Sequence, residues 1–391
     1  MVVHKPPMGY NTWNYFGEDI NEELLYELAD ALVDSGLRDI GYNYLVIDDC
    51  WQERTRDENG RLVPNKERFP NGIKPICDYC HSKGLKFGMY SDLGALTCAG
   101  YPGSYGFEYI DAQTFADWGV DFLKYDYCFR SKSVDPATLY RKMGIALKST
   151  GKDILYSICS WGRDETDKWV DTTSGSMWRL GGDIKDDWQH IRNMAVAYVV
   201  TNGKSYMNCF TDLDMLVVGM KNRGYCAITG CTFEEYRTHF SFWAFVGAPL
   251  MIGCDIRDLE DDTKQILTNK DLIEINQDAE YNRAWLLHAS DGITDENEHP
   301  CYARILENGD IALGFFNFSD TKIASRYITL DMLGLDADVP LDITIKDVWS
   351  GEIVNQKEDY WESCATANNI IFIGSIEPHD CVVYRISVKN K

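Results

Sequence analysis

The 391-residue sequence predicts an α/β protein, a (β/α)8 TIM barrel followed by a C-terminal antiparallel β-sandwich. The first observation is that eight short apolar segments alternate with eight longer amphipathic ones through the first two-thirds of the chain, which is the barrel pattern. The second is a change near Glu280 to short alternating segments separated by Gly, Asn and Asp turns, which is typical of a sandwich. We therefore predict a catalytic barrel domain at residues 1–280 and a sandwich at 281–391.

Barrel strands are predicted at short apolar runs, and helices where apolar residues recur at helical spacing. The predicted strands are Met8–Trp13, Tyr42–Asp48, Leu85–Asp92, Asp121–Asp126, Ile154–Cys159, Met177–Asp183, Ser205–Cys209 and Pro249–Cys254. The predicted helices are Asn21–Ser35, Gly72–Lys83, Asp111–Trp118, Pro136–Thr150, Glu165–Thr172, Asp187–Thr201, Phe233–Phe245 and Leu259–Thr268.

In the second domain, alternating apolar residues predict six strands. Turn pairs support two of them, because Asn308-Gly309 and Ser350-Gly351 each follow a predicted strand. The six strands are Tyr302–Leu306, Ile311–Asn317, Ser325–Leu330, Ile343–Trp349, Ile370–Ile373 and Cys381–Val388.

The net charge of −23 argues against a nucleic-acid partner, because a phosphate backbone requires a basic surface. It equally disfavours anionic lipid, and no apolar run reaches the roughly 18 residues that a membrane helix needs. The start of the chain, Met1 to Pro7, lacks the charged and apolar segments of a secretion signal. A cytoplasmic location is expected, although a mature secreted form would look the same. Oligomeric state is not readable from the sequence.

The thirteen cysteines are scattered singly apart from Cys77 and Cys80. These two have CxxC spacing, but they lie in a helical pattern without a second such pair, so we predict no metal site there. Buried free thiols are the expected state, which fits a reducing compartment.

Polar and aromatic residues follow the first six predicted strands, at the ends where such a barrel gathers its functional groups. The strand Asp121–Asp126 is the most distinctive, because period-2 alternation puts Lys124, Asp126 and Cys128 on one side. A structural ion pair between Lys124 and Asp126 is the alternative. Five carboxylates at these ends face one Lys and one Arg, so ion pairing does not explain the set. The set comprises Trp13, Asp48, Asp49, Trp51, Tyr90, Asp92, Lys124, Asp126, Cys128, Cys159, Trp161, Arg179 and Asp183.

An acidic pocket with tryptophans favours a neutral sugar as the ligand. Anionic substrates would require several cations, whereas carboxylates accept hydrogen bonds from sugar hydroxyls and indoles cover the apolar face of a pyranose. Each indole taken alone is also explained by core packing. The adjacent carboxylates of Asp48 and Asp49 keep a Mg²⁺ site open as an alternative, but no cofactor is expected.

Glycoside hydrolysis needs one ionised and one protonated carboxyl group at the start of the reaction. Asp126 is the predicted nucleophile, because Lys124 two residues earlier would hold it ionised. Asp183 is the predicted acid/base, because it follows the Gly181-Gly182 turn and its surroundings could raise its pKa toward working pH.

At these residues the chain closely resembles glycoside hydrolase family 27, the α-galactosidase and α-N-acetylgalactosaminidase family. The matching stretches span both predicted domains and occur in the family's order. They are Pro7-Met-Gly-Tyr-Asn-Thr-Trp-Asn14, Tyr44-Leu-Val-Ile-Asp-Asp-Cys-Trp51, the segments 81–92, 97–106 and 111–128, Trp178-Arg179 with Asp183-Ile184, Asp214-Met-Leu-Val-Val-Gly219 and Asp347-Val-Trp-Ser-Gly351.

The resemblance implies a retaining double displacement on terminal α-linked D-galactose in oligosaccharides, with Asp126 as nucleophile and Asp183 as acid/base. Asp48, Asp49 and Lys124 match the family's contacts to the galactose hydroxyls. The remaining matches are Trp13 and Tyr90 as pocket walls, Arg179 at the 2- and 3-side of the sugar, and Cys159 and Trp161 as pocket lining in the plant and microbial members.

Cys98 and Cys128 match a pair that is disulfide-bonded in many family members. Other disulfide partners of the family are missing, because the Asn14–Leu25 region has no cysteine to join Cys50. Both the bonded and the reduced state of Cys98 and Cys128 therefore stay open.

The departures from the family pattern are concentrated at Cys159-Ser-Trp161 and the Gly162-Arg163 that follows. Serine at this place also occurs in the N-acetylgalactosaminidases, so that activity is the alternative, although the Trp-Gly form favours galactose. A non-catalytic sugar-binding barrel is a more remote alternative. Asp212 and Asp214 are interpreted as loop hydrogen-bonding residues.

Overall fold

The structure is a computed structural model that describes residues 5–203, 208–278, 283–287, 297–324, 326–336, 339, 341–354 and 370–390. Helices α1 to α9 are Trp13–Phe16, Glu22–Asp34, Lys74–Ser82, Glu108–Trp118, Pro136–Ser149, Trp188–Thr201, Phe233–Val246, Asp261–Leu267 and Lys270–Asn276. Strands β1 to β10 are Met8–Asn11, Tyr44–Val46, Lys86–Asp92, Phe122–Asp126, Leu155–Ile158, Met177–Arg179, Asp186–Asp187, Phe210–Asp212, Ala227–Gly230 and Leu250–Ile252. Strands β11 to β17 are Trp285–Leu286, Cys301–Ile305, Ile311–Phe316, Arg326–Thr329, Leu341–Asp347, Ile370–Ile373 and Cys381–Asn390.

Eight parallel strands form one sheet in the order β10-β1-β2-β3-β4-β5-β6-β8. The sheet closes through Leu216, which follows β8: its N–H donates to the carbonyl of Met251 at 2.7 Å, and its own carbonyl accepts from the N–H of Gly253 at 2.9 Å. The (β/α)8 barrel is therefore confirmed, and the carboxyl ends of its strands surround one pocket. Within it, the register of β3 and β4 sets Asp92 beside Asp126.

The barrel helices begin where local hydrogen-bonding residues satisfy the free N–H groups of a first turn. The side chain of Asn21 accepts from Leu24 N–H before α2, and that of Asp135 accepts from Thr138 N–H before α5. None of the described helices is long and apolar enough to cross a membrane.

Seven of the predicted barrel strands each contain an observed strand. The seventh prediction, Ser205–Cys209, falls partly on residues 205–207, which lie outside the described residues, and the observed strand is Phe210–Asp212. The sequence pattern did not predict α1, α9 or the short ribbon formed by β7 and β9.

The predicted helix Glu165–Thr172 is wrong, because the chain forms two 3-10 turns there, Thr166–Lys168 and Val170–Thr172. Threonine hydroxyls compete with the backbone for its acceptors: Thr166 Oγ1 donates to Arg163 O at 2.7 Å, and Thr172 Oγ1 donates to Trp169 O at 2.6 Å. Such local bonds favour tight turns over a continuous α-helix.

The C-terminal strands form a five-stranded sheet in the order β11-β12-β13-β17-β15 and a two-stranded sheet of β14 and β16. All pairings are antiparallel. Apolar residues from both sheets share one core, which includes Leu313 and Ile386 from the larger sheet and Ile328, Ile371 and Ile373 from the smaller. The predicted antiparallel β-sandwich is confirmed.

The described chain divides into two compact units. One comprises Met1–Cys231 with Pro249–Lys264, and the other comprises Thr232–Ala248 with Gln265–Lys391. Helix α7 groups with the second unit because its aromatic face packs on the sandwich, where the rings of Phe242 and Phe316 are 5.0 Å apart. The predicted boundary between residues 280 and 281 lies outside the described residues and stays a prediction.

Candidate active site

Asp126 lies at the carboxyl end of β4 and is buried, with 6% of its surface exposed. Its Oδ2 accepts the hydroxyl proton of Tyr90 at 2.8 Å, and its Oδ1 accepts the N–H of Tyr127 at 2.9 Å. Burial raises the pKa of Asp126 to about 6; Lys124 acts to lower it and the Asp183 carboxylate to raise it further. Lys124 thus lowers the pKa of Asp126, as expected, but burial raises that pKa by more than Lys124 lowers it.

Lys124 makes its ion pair with Asp48. Its Nζ lies 2.8 Å from Asp48 Oδ2, which also accepts from Asn11 Nδ2 at 2.8 Å. The structure therefore corrects the predicted structural alternative, an ion pair of Lys124 with Asp126. An oxygen that already holds an ammonium and an amide is poorly suited to a Mg²⁺ ion, which favours the sugar interpretation of this corner over the metal one.

Asp49 is buried beside Asp48, and both lie beyond the end of β2, where strand alternation no longer separates neighbouring side chains. Asp49 Oδ1 accepts the N–H of Cys50 at 2.7 Å, and its Oδ2 accepts the N–H of Ala99 at 3.0 Å. Burial raises its pKa to about 6, against the opposing effect of these hydrogen bonds. A carboxylate has about four acceptor positions, so Asp49 retains capacity for ligand hydroxyls.

Asp183 follows β6, and 55% of its side chain is exposed. Arg179 Nη2 lies 3.0 Å from Asp183 Oδ1 and 2.9 Å from Asp214 Oδ2. Asp214 Oδ2 also accepts the N–H of Ile184 at 2.7 Å, which fixes the backbone next to Asp183. Asp214 therefore does more than the loop hydrogen bonding predicted for it. The signal that would have found it is the Asp-x-Asp pattern at the end of β8.

The expectation of a raised pKa for Asp183 is wrong in this structure. Burial acts to raise it, but the positive charges of Arg179 and Lys124 outweigh burial and hold the pKa of Asp183 below its ordinary value. The Asp183 carboxylate raises the pKa of both Asp126 and Asp214, because like charges repel. The electrostatic field thus favours the proton on Asp126 rather than on Asp183.

The predicted aromatic residues separate into pocket and core. Trp13 is half-buried, with its ring 5.2 Å from that of Tyr225 in an edge contact, and Trp161 is half-buried, 5.5 Å from Tyr127. Trp51 is fully buried, and its Nε1 donates to Tyr90 O at 3.0 Å. Trp51 is therefore a core residue that supports the strand of Tyr90.

Cys159 and Ser160 lie at the end of β5 and are both buried. Arg179 Nη1 lies 3.7 Å from Cys159 Sγ. The Ser160 hydroxyl lies 2.6 Å from Thr166 Oγ1 and has 0% of its surface exposed. Ser160 is therefore bound to the 3-10 segment, and its side chain is not exposed.

Cys98 and Cys128 are disulfide-bonded, with their Cα atoms 5.2 Å apart. The bond joins the loop after β3 to the end of β4, next to Asp126. Asp92 supports the same junction, because Oδ1 accepts from Gly94 N–H at 2.6 Å and Oδ2 accepts from Cys128 N–H at 2.9 Å. Asp92 is therefore an anchor of these two loops. The ten other cysteines among the described residues are free, and all but Cys231 are buried.

Residues 5–278 match a family model described as alpha galactosidase A, and residues 296–386 match one described as the alpha galactosidase C-terminal beta sandwich domain. The chain is 39% identical over 386 residues to alpha-galactosidase 3 of Arabidopsis thaliana, covering 98% of this chain and 82% of that protein.

Among solved structures, alpha-galactosidase I from Mortierella vinacea superposes with a TM-score of 0.83 at 32% identity, covering 98% of this chain and 97% of that one. The Saccharomyces cerevisiae alpha-galactosidase with raffinose superposes with a TM-score of 0.82 at 29% identity, covering 99% and 98% of the two chains. The match over more than two-thirds of the chain, with the same two domain types, leads to one conclusion. This chain belongs to the α-galactosidase family of glycoside hydrolases, family 27, and is an enzyme of that class.

Proposed function

We propose that this enzyme releases terminal α-linked D-galactose from oligosaccharides by a retaining double displacement, with Asp126 as nucleophile and Asp183 as acid/base. The observation that carries the proposal is the pair of carboxylates at one end of the barrel, close enough that the charge of Asp183 raises the pKa of Asp126. One is buried and receives the Tyr90 hydroxyl, and the other is half-exposed and bound to Arg179. Raffinose, the ligand of the yeast relative, is an oligosaccharide of the expected kind.

In the first step the Asp126 carboxylate attacks the anomeric carbon and the bond to the leaving oxygen breaks, while Asp183 gives that oxygen a proton. In the second step water attacks the same carbon, Asp183 accepts a proton from the water, and the ester to Asp126 breaks. The sugar leaves with its original anomeric configuration because each step inverts the centre once.

The charges around Asp183 favour its role as a base in the second step. Once Asp126 is an ester it carries no charge, and Arg179 keeps the pKa of Asp183 low, so Asp183 is ionised and able to act as base. The first step requires the pair's proton on Asp183. If a sugar hydroxyl accepts the Arg179 N–H in place of the Asp183 carboxylate, the pKa of Asp183 rises. The pair's proton is then favoured on Asp183.

The remaining contacts support a galactose-sized site. The corner formed by Asp48, Asp49 and Lys124 offers buried acceptors and one ammonium for hydroxyl groups. Trp13 and Trp161 present partly exposed indoles for the apolar face of the ring. Because the Ser160 hydroxyl is buried against Thr166, the serine shared with the N-acetylgalactosaminidases gives no support here for binding of an acetamido group.

Azide rescue of two glycine variants tests the two roles separately. With an aryl α-galactoside, Asp126→Gly should lose nearly all hydrolysis and, with azide added, form β-galactosyl azide, because azide replaces the nucleophile. Asp183→Gly should form α-galactosyl azide, because azide attacks the glycosyl-enzyme from the water side. The same anomer from both variants, or substantial unaided hydrolysis by either, would refute the assignment. Turnover of an aryl α-N-acetylgalactosaminide faster than of the α-galactoside would refute the sugar preference.

A further inference from the structure

Three chemically different metal-binding side chains meet at the opposite end of β4. Cys77 and His81 are one turn apart on α3, and Asp121 precedes the first residue of β4. His81 Nε2 lies 3.7 Å from Cys77 Sγ and 2.7 Å from Asp121 Oδ2, and all three atoms lie within 4.8 Å of one another. Asp121 is five residues before Asp126, or about 16 Å along a strand, so this cluster is remote from the active site.

The geometry differs from that of a Cys-His-Asp proton relay. In a relay, one ring nitrogen serves the nucleophile and the other serves the carboxylate. Here a single nitrogen, His81 Nε2, faces both the sulfur and the oxygen. Three donor atoms therefore converge on one point, which is the arrangement around a metal ion.

The separations are close to those of a tetrahedral zinc site. Zn–S and Zn–N bonds of about 2.3 and 2.0–2.1 Å place the two donors about 3.5 Å apart, compared with the 3.7 Å between Cys77 and His81. The His81–Asp121 distance would need to widen by about 0.6 Å on the same bond lengths. The His81 side chain is 38% exposed, so its ring has room to turn.

Gly119 leaves space beside Cys77 and His81, and two neighbouring groups orient the Asp121 carboxylate. Gly119 has φ +91°, and a Cβ there would lie 3.2 Å from Cys77 Sγ and 3.5 Å from the His81 ring. Phe87 N–H donates to Asp121 Oδ2 at 2.9 Å, while Lys152 Nζ lies 3.2 Å from the other oxygen, Oδ1. Such supporting hydrogen bonds commonly orient metal ligands.

We propose that Cys77, His81 and Asp121 bind one zinc-like divalent cation, with water from the exposed side as the fourth ligand. On binding, the Cys77 thiol loses its proton to solvent and the sulfur–metal bond forms, while the proton between His81 Nε2 and Asp121 Oδ2 also leaves, so that both of these atoms can bind the ion. The ion joins the end of α3 to the start of β4 and stabilises the fold. It takes no part in glycoside hydrolysis. The proposal departs from the sequence prediction of no metal at Cys77 and Cys80; Cys77 is in this cluster and Cys80 is not.

Cobalt substitution tests the site with the full-length protein. The chelator-stripped protein, titrated with Co²⁺, should develop a near-ultraviolet thiolate-to-cobalt band and visible bands of tetrahedral intensity that saturate at one equivalent, and Zn²⁺ should abolish them. Cys77→Ser should lose the near-ultraviolet band, and His81→Gln should weaken Co²⁺ affinity at least tenfold. Cys80→Ala, which removes a neighbouring buried thiol outside the cluster, is the matched control. It should keep the near-ultraviolet band and the wild-type Co²⁺ affinity.

Thermal melting supplies a second measurement. Zn²⁺ should raise the melting temperature of the stripped wild-type protein but not that of His81→Gln, a substitution at a 38%-exposed side chain that leaves the core unchanged. Absence of the thiolate band in the wild type, or a band unchanged in Cys77→Ser and His81→Gln, would overturn the proposal and leave His81 and Asp121 as an ion pair. Hydrolysis of an aryl α-galactoside by each variant reports the proposed function independently.

Discussion

The Arg179 guanidinium binds the Asp183 carboxylate at 3.0 Å and, through the same Nη2, the Asp214 carboxylate at 2.9 Å. The charge that keeps Asp183 ionised is therefore shared with a second, buried acid. Asp214 thus influences the proton affinity of Asp183 through Arg179 and also holds the neighbouring Ile184 N–H. This makes Asp214 a positioning residue whose effect is separable from direct contact with substrate.

Asp214→Asn should lower the maximum of the kcat/KM pH profile and move its acidic limb to lower pH, because the lower pKa of the pair belongs to Asp183. Removing the negative charge leaves Arg179 less compensated, so the pKa of Asp183 falls further and its protonated form is lost at a lower pH. The amide oxygen can still accept the Ile184 N–H. Asp171→Asn, remote from the pocket, should leave the profile unchanged. An acidic limb that stays in place or moves upward in Asp214→Asn would contradict the proposed coupling.

Tyr90→Phe should lower the maximum of the kcat/KM pH profile and move its basic limb to higher pH, because the higher pKa of the pair belongs to Asp126. The Tyr90 hydroxyl bond acts to lower the pKa of Asp126, which burial has raised to about 6, so its loss raises that pKa further. Because a hydrogen bond to a charged group contributes about 1.5–3 kcal/mol, kcat/KM at pH 5 should fall roughly tenfold or more. The loss at pH 7.5 should be smaller. Tyr44→Phe, at the amino end of β2 and therefore at the end of the barrel opposite Asp126, is the control. Equal losses of kcat/KM at both pH values in Tyr90→Phe would count against a pKa effect.

Asp126→Asn should stabilise the protein at pH 7. Its folded-state pKa is raised, so the native state binds more protons than the unfolded chain between about pH 4 and 6, and stability is lost as pH rises through that interval. Two pKa units correspond to about 2–3 kcal/mol. The melting temperature should rise by a few degrees at pH 7 and change little at pH 4.

Asp183→Asn provides the control of opposite sign. Its pKa is lowered in the folded protein, so its stabilising contribution is present above the unfolded pKa and is lost as pH falls. Removing that carboxylate should therefore not raise the melting temperature at pH 7. Stabilisation of both variants at pH 7 would indicate a general packing effect rather than the burial of the Asp126 charge.

Reduction of the Cys98–Cys128 bond should weaken substrate binding more than turnover. Thr97 and Ala99, on either side of Cys98, both donate hydrogen bonds to Asp49, so the bond fixes the loop that orients this carboxylate. KM should rise severalfold and kcat should change less. Since a disulfide typically contributes about 2–4 kcal/mol, the melting temperature should also fall.

Cys98→Ala should reproduce these effects and abolish the response to reductant, and the mass of the non-reduced protein should confirm the bond in the wild type. A wild-type KM that is insensitive to reduction would show that the loop is held without the disulfide.

Ser160→Ala should leave the ratio of kcat/KM values for aryl α-galactoside and aryl α-N-acetylgalactosaminide unchanged. The Ser160 hydroxyl is fully buried and bound to Thr166, so its loss costs stability but alters no surface that a sugar touches. Both rates should be within about twofold of the wild type, as expected for roughly 0.4 kcal/mol or less. A marked shift of the ratio would show that this position reads the 2-substituent.

Much of the site could be predicted from the sequence because it depends on periodicity. Apolar runs ending in Asp48-Asp49, Lys124-Tyr-Asp126 and Trp178-Arg179 predict strands, and the alternation with helices predicts that these strands are parallel. Parallel neighbours bring their carboxyl ends to one edge. The sequence pattern therefore predicts which residues lie at this edge, although it gives no distances between them.

The sequence could not predict which groups pair across the pocket. Lys124 binds Asp48 from another strand rather than Asp126 on its own, and Trp51 lies in the core while Trp13 and Trp161 remain partly exposed. Threonine hydroxyls bind backbone carbonyls in residues 165–172, where two 3-10 turns form instead of the predicted helix. The hydroxyl of Thr166 also contacts that of Ser160. These outcomes depend on long-range packing and on single rotamers.

Periodicity and the order of motifs were enough to predict a barrel with a sandwich, the family, and the carboxylates Asp126 and Asp183 at the carboxyl ends of barrel strands. The charge state that the surroundings favour for each carboxylate depends on the folded arrangement. Burial and the distance to Arg179 set those pKa values in opposite directions, and neither is a property of local sequence. The convergence of Cys77, His81 and Asp121 was likewise decided by the packing of α3 against the start of β4.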